Sequence, residues 1–203
     1  MRALSSLFTS YPNAMMYREQ AAANPFLVRQ LVRRMNVQRA WLDCDVAHAA
    51  AAALGAMAID CSAAKEQFFD QDGLMWLIDM IDDNDGASTN ITAATFLVSR
   101  LCKDSPTTRE KIGQRKDIFA SLVTAFSNPD NDDNERESIA NALYSLADSN
   151  EANQKAIREA GATAPLADAL AQEVLEAEPD NNFALALRSF AVASPAAAME
   201  EDE

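Results

Sequence analysis

The chain has 203 residues, 49% of them hydrophobic, and carries a net charge of −14. Only 5 Gly and 7 Pro accompany abundant Ala, Leu and Met, a composition that favours helix and argues against a strand-dominated fold. No apolar run is long enough to span a bilayer, and so acidic a chain disfavours non-specific binding to nucleic acid or to an anionic membrane.

The charge is unevenly placed. Residues 1–42 hold 6 Arg against the single acid Glu19, whereas the remainder holds 11 basic residues against 30 acids. The acidic remainder reads as a solvated exterior. Cys44, Cys61 and Cys102 fit no zinc spacing, and His48 is the only histidine. Reduced thiols in a reducing compartment are expected, with no disulfide, no metal site and no cofactor.

Residues 1–17 read as an N-terminal extension. No sustained apolar segment precedes Tyr11-Pro12, so a secretory signal is not expected. Arg2 and Arg18, several Ser/Thr and no acid before Glu19 give it a faint resemblance to a mitochondrial presequence. A cytoplasmic location is expected, with a mitochondrial or ciliary one as the alternative.

Residues 18–35 look like a partial unit: Arg18-Glu19-Gln20 echoes Lys65-Glu66-Gln67, and Leu27 and Leu31 echo Leu74 and Ile78. Long helices are expected after Asp43 or Asp45, Ser88-Thr89-Asn90, Asp132-Asp133-Asn134 and Asp180-Asn181-Asn182. Each cluster offers capping oxygens and negative charge to a helix N-terminus. Shorter helices follow each long one, with Trp76 and Met75 in 74–81 expected to pack between units. The run Asp82-Asp83-Asn84-Asp85-Gly86 fails as a calcium loop, because Gly86 as turn glycine would put Ile81 first and Thr92 last among the ligands. Near the end, Asp148-Ser149-Asn150 breaks a helix, Gly161 ends another, and Pro165 sits in the opening turn of a third whose Leu166 and Leu170 face inward. Residues 181–194 begin one more unit. The acidic tail 195–203, ending Glu200-Glu201-Asp202-Glu203, reads as disordered.

The segments align on one another at 44–45 residues: Leu54, Val98 and Leu143 correspond, as do Met57, Leu101 and Leu146, and Phe68, Ile112 and Ile157. Three short helices cannot bury their apolar faces alone and need copies on either side. The run NEANQKAIREAGATAPLADAL (150–170), preceded by ALYSLA (142–147), resembles an armadillo repeat. The resemblance covers most of residues 18–194. It implies an all-α, right-handed α-solenoid of three-helix repeats, with about three full units and terminal half-units. It further implies a concave groove lined by the long helices, where an Asn near the helix end reads an extended peptide. Those positions here are Ala56, Arg100 and Ser145, so the Asn ladder is missing.

Helical periodicity reaches the same face. A core stripe of Ile139, Ala142, Leu143 and Leu146 leaves Glu137, Asn141 and Ser145 on a separate stripe, with counterparts Thr92, Phe96, Arg100 and His48, Ala52, Ala56. The candidate partner-binding set is therefore His48, Thr92, Phe96, Arg100, Glu137, Asn141 and Ser145, with Phe96 and Arg100 as anchors. The plainer alternative tucks Phe96 between helices and pairs Arg100 with a loop acid. Arg29, Arg33 and Arg34 form a secondary basic patch. With one His, no phosphate loop and no nucleophile elbow, no catalytic residue is assigned and the chain is expected not to be an enzyme. A protein–protein interaction scaffold is the leading expectation, its partner a protein, with neither nucleic-acid binding nor membrane insertion. The alternatives are a structural subunit of a large mitochondrial or ciliary assembly, or an armadillo-type nucleotide-exchange factor for a heat-shock chaperone.

Overall fold

In a computed structural model, residues 13–35, 44–82, 88–173 and 185–186 are described, and among them every regular element is an α-helix. The chain reads as two short helices followed by three turns of a long–short–short pattern. The opening pair is α1 (Ala14–Ala22) and α2 (Pro25–Arg34). The three long helices, α3 (Cys44–Ala58), α6 (Ser88–Cys102) and α9 (Asp133–Ala147), each have 15 residues. Between and after them run α4 (Ser62–Asp70), α5 (Gly73–Asp82), α7 (Pro106–Gly113), α8 (Asp117–Phe126), α10 (Glu151–Glu159) and α11 (Thr163–Glu173).

The long helices pack most on their counterparts one period away, and several short helices also meet theirs. The long helix α6 lies between α3 and α9, α5 lies between α2 and α8, α4 meets α1, and α10 meets α7. The apolar stripes read from sequence point into one continuous core: Leu54, Met57, Val98, Leu101, Leu143 and Leu146 are all buried, as are Phe68, Ile112 and Ile157. Small residues such as Ala47, Ala50, Ala51 and Ala94 let the long helices lie close.

Side-chain caps set some of the helix starts. Asn24 accepts from the N–H groups of Phe26 and Leu27, with Pro25 in the first helical position, where its missing N–H costs nothing. At α9 the expected acid cluster becomes a capping box: Asp132 accepts from Glu135 N–H at 2.9 Å, and Glu135 accepts from Asp132 N–H at 2.7 Å. Ser88-Thr89-Asn90 behaves differently from expectation. The three residues form the first turn of α6 instead of preceding it, and the buried Asn90 carboxamide makes no hydrogen bond among the described residues. Asn90 holds the position of Glu135, with a shorter side chain.

The long helices stop in the same way. Asp60, Asp104 and Ser149 take the left-handed conformation at φ 52°, 52° and 53°, and Gly161 does the same after α10 at φ 87°. A cation from the preceding unit then meets each long-helix end. Arg18 donates to Ile59 O at 2.7 Å, Lys65 to Lys103 O at 2.6 Å, and Arg109 to Asp148 Oδ2 at 2.6 Å. These groups sit at the negative ends of the helix dipoles and tie one unit to the next.

Two expectations meet the structure differently. The boundary at 17/18 falls inside α1, whose Ala14 is already buried, because the helix begins at Ala14. Trp76 packs against the core, but Met75 is 46% exposed, since it lies one residue round the helix from the apolar stripe. Leu166 is buried as expected. The Leu170 side chain, the extension 1–12, nearly all of 181–194 and the tail 195–203 lie outside the described residues.

Candidate functional site

Phe96 and Arg100 stand one turn apart on α6, so their side chains share a face. The Arg100 Cζ lies 4.8 Å from the Phe96 ring centroid, a cation–π contact. The ring rests on α3, where the chain has Gly55. A Cβ there would come within 2.9 Å of Phe96 Cε1 and 3.6 Å of Arg100 Cγ. The absent side chain is what gives the ring its place. Phe96 thus does tuck against the neighbouring helix, while Arg100 makes no ion pair among the described residues and sits half-buried over the ring.

On the other side, α9 contributes Asn141 and Ser145. Together with Phe96 and Arg100 they line a groove of about 290 Å³ between α6 and α9. Ser145 Oγ donates to Asn141 O at 2.8 Å and Ser99 Oγ to Thr95 O at 2.8 Å, so both hydroxyl protons are used within their helices. The Asn141 carboxamide makes no hydrogen bond among the described residues. One end of the groove is closed by Arg109 of α7, paired with Asp148 at 2.6 Å. Lys103, Asp104 and Tyr144 complete the lining.

Cys102 is fully buried, and burial pushes its thiol up to about 12. Lys65, 6% exposed, is held below the usual lysine range by burial, although its ammonium donates to Lys103 O.

Four of the seven expected residues therefore converge: Phe96, Arg100, Asn141 and Ser145. His48, Thr92 and Glu137 lie on the same stripes two turns before the counterparts of Arg100, and they do not line the groove. Arg29, Arg33 and Arg34 are exposed on α2, away from it, and Arg29 Nε donates to Gln71 Oε1 at 2.7 Å. Gly55, Ser99, Lys103, Asp104, Arg109, Tyr144 and Asp148 were not picked out by periodicity. The recurring Arg18, Lys65 and Arg109 positions in the short helices were the available signal for Arg109. Among the described residues no cluster of His, Cys, Asp and Glu is placed to hold a metal ion, and no helix is long and apolar enough to cross a membrane.

No family model matches the chain, and no curated protein matches it. A solved structure does. The crystal structure of an engineered protein, a Northeast Structural Genomics Consortium target, has a TM-score of 0.67 at 20% identity, over 93% of this chain and 78% of its own. That likeness concerns the fold alone.

Proposed function

We propose that the chain is a non-enzymatic protein–protein interaction scaffold, a right-handed α-solenoid of armadillo-like repeats whose groove between α6 and α9 receives a partner protein. The repeat architecture is supported by the packing of each long helix on its counterpart and by the recurring left-handed stops at Asp60, Asp104 and Ser149. The observation that carries the functional reading is the half-buried Arg100 stacked on Phe96 at 4.8 Å in a groove shared with Asn141. Aromatic and Arg side chains held in this way are common anchors of protein interfaces. The groove's chemistry suits recognition better than turnover: its two serine hydroxyl protons are given to helix carbonyls, and the buried thiol in its lining stays protonated.

The test is the affinity of a captured partner for the wild type and for a Phe96→Ala, Arg100→Ala double variant of unchanged melting temperature. A loss of about thirtyfold or more is expected, on the order of 2 kcal/mol for an anchor pair. Unchanged affinity would remove the groove from consideration.

One observation favours a second reading, a subunit of a larger assembly. Met15, Met16 and Phe26 are exposed at the α1–α2 end, at 59%, 43% and 66%. Migration of the native protein with a large complex, lost on Phe26→Ser, would support it.

A further inference from the structure

We propose that the groove between α6 and α9 docks an acidic segment of its protein partner, Arg100 taking a carboxylate and Asn141 hydrogen-bonding a neighbouring polar group of that segment. The proposal rests on the reading of the groove as a partner surface and names the chemistry that surface selects.

Charge complementarity comes first. Arg100, Lys103 and Arg109 outnumber Asp104 and Asp148 around this groove, in a chain whose net charge is −14. The groove is locally positive on an acidic protein. Arg109 and Asp148 satisfy one another at 2.6 Å, and Lys103 and Asp104, adjacent and exposed, largely offset each other in water. Arg100 and Lys103 are the lining cations with no carboxylate ion pair among the described residues, and of the two only Arg100 is half-buried.

Its presentation comes second. The Arg100 stem lies against the Gly55 side of α3 and its guanidinium lies over the Phe96 ring. That contact draws on the cation's charge and leaves its N–H donors available, and it restricts the side chain before any ligand arrives. A planar fork of donors suits a carboxylate in bidentate fashion, with more directional strength than a lysine ammonium gives.

Asn141 comes third. Its carboxamide faces the same groove with both donor and acceptor capacity unspent. A peptide unit offers the complementary N–H and C=O. A basic segment would fare worse: its cation would meet Arg100, while Asp148 is already held by Arg109.

The experiment titrates the isotope-labelled full chain by NMR with acetyl-Leu-Glu-Leu-amide and with the Gln and Lys versions of that peptide. The Glu peptide is expected to shift signals of Phe96, Arg100 and Asn141 and to bind about tenfold tighter than the Lys peptide. Arg100→Gln should bring the Glu peptide down to the Gln peptide's level, Arg100→Glu should invert the order, and Asn141→Ala should weaken all three alike. Melting curves establish that the variants fold. Equal binding of the three peptides, shifts confined to another surface, or no shift with the Glu peptide would overturn the proposal. If the Phe96→Ala, Arg100→Ala double variant loses the natural partner while peptide charge makes no difference, the groove stands as an interface and its preference for acid falls.

Discussion

Replacing Gly55 by Ala should act with opposite signs depending on what stands at position 96. In a helix interior Ala is favoured over Gly by about 1 kcal/mol. With Phe96 present, the new Cβ would come 2.9 Å from its Cε1 and 3.2 Å from its Cδ1. Optimal carbon–carbon separation begins at about 3.5 Å, so the ring must shift off Gly55, and the Arg100 stacked on it must adjust. Overpacking of this kind costs about 1–3 kcal/mol. Gly55→Ala in the wild type is therefore expected to be neutral or destabilising by up to about 2 kcal/mol, the clash less the helix gain. In a Phe96→Ala background the obstacle is gone, and the same change should stabilise by about 1 kcal/mol. The coupling between the two sites should be about 1–3 kcal/mol. Urea unfolding of the four chains by circular dichroism measures it, provided the m-values agree. If Gly55→Ala stabilises both backgrounds equally, the ring does not lie on α3, and the reasoning about the groove's preformed shape fails.

Asn153→Ala should cost about 2–4 kcal/mol in urea unfolding, because the buried carboxamide donates to Leu146 O at 2.9 Å and Arg109 O at 3.0 Å and both carbonyls would lose a partner; a cost under about 0.5 kcal/mol would show that water replaces it freely. Asp148→Asn should destabilise by about 1 kcal/mol, since Arg109 is 10% exposed but Asp148 is 41% exposed and well solvated, and the effect should shrink in high salt. Above pH 9.0 the Cys102 thiol ionises in the unfolded chain but stays protonated in the folded one up to about 12. The unfolded chain then binds fewer protons, so stability should fall by about 1.4 kcal/mol per pH unit between those values. Lys65, held below 10.5 when folded, acts in the opposite sense, so the check compares the alkaline slope of Cys102→Ala with that of the wild type; identical slopes would mean that the thiol is not shielded.

Periodicity made the framework legible. A stripe such as Ile139, Leu143 and Leu146 admits one buried face, so once the long helices were aligned, Phe96, Arg100, Asn141 and Ser145 had to share the opposite stripes. Their meeting in a groove follows from α6 and α9 lying side by side. Gly55 was illegible because a glycine among alanines carries no pattern of its own; its meaning is the ring that lies on it from another helix. Arg109 and Lys65 were missed for a related reason. Each reaches a helix end 38 or 39 residues along the chain, and Lys65 meets a backbone carbonyl that no side-chain pattern records. The acid clusters were legible as caps where a Glu completed the box, as at Asp132, and less so where Asn90 took that place.

The central claim is that the partner lies between α6 and α9. A photo-crosslinking residue placed at Ser145, which lines that groove, and in a separate chain at Lys155, exposed on α10, tests it in the cell that makes the protein. Crosslinks to one partner from position 145 and none from 155 are the expected result. Crosslinks from 155 with none from 145 would contradict the account.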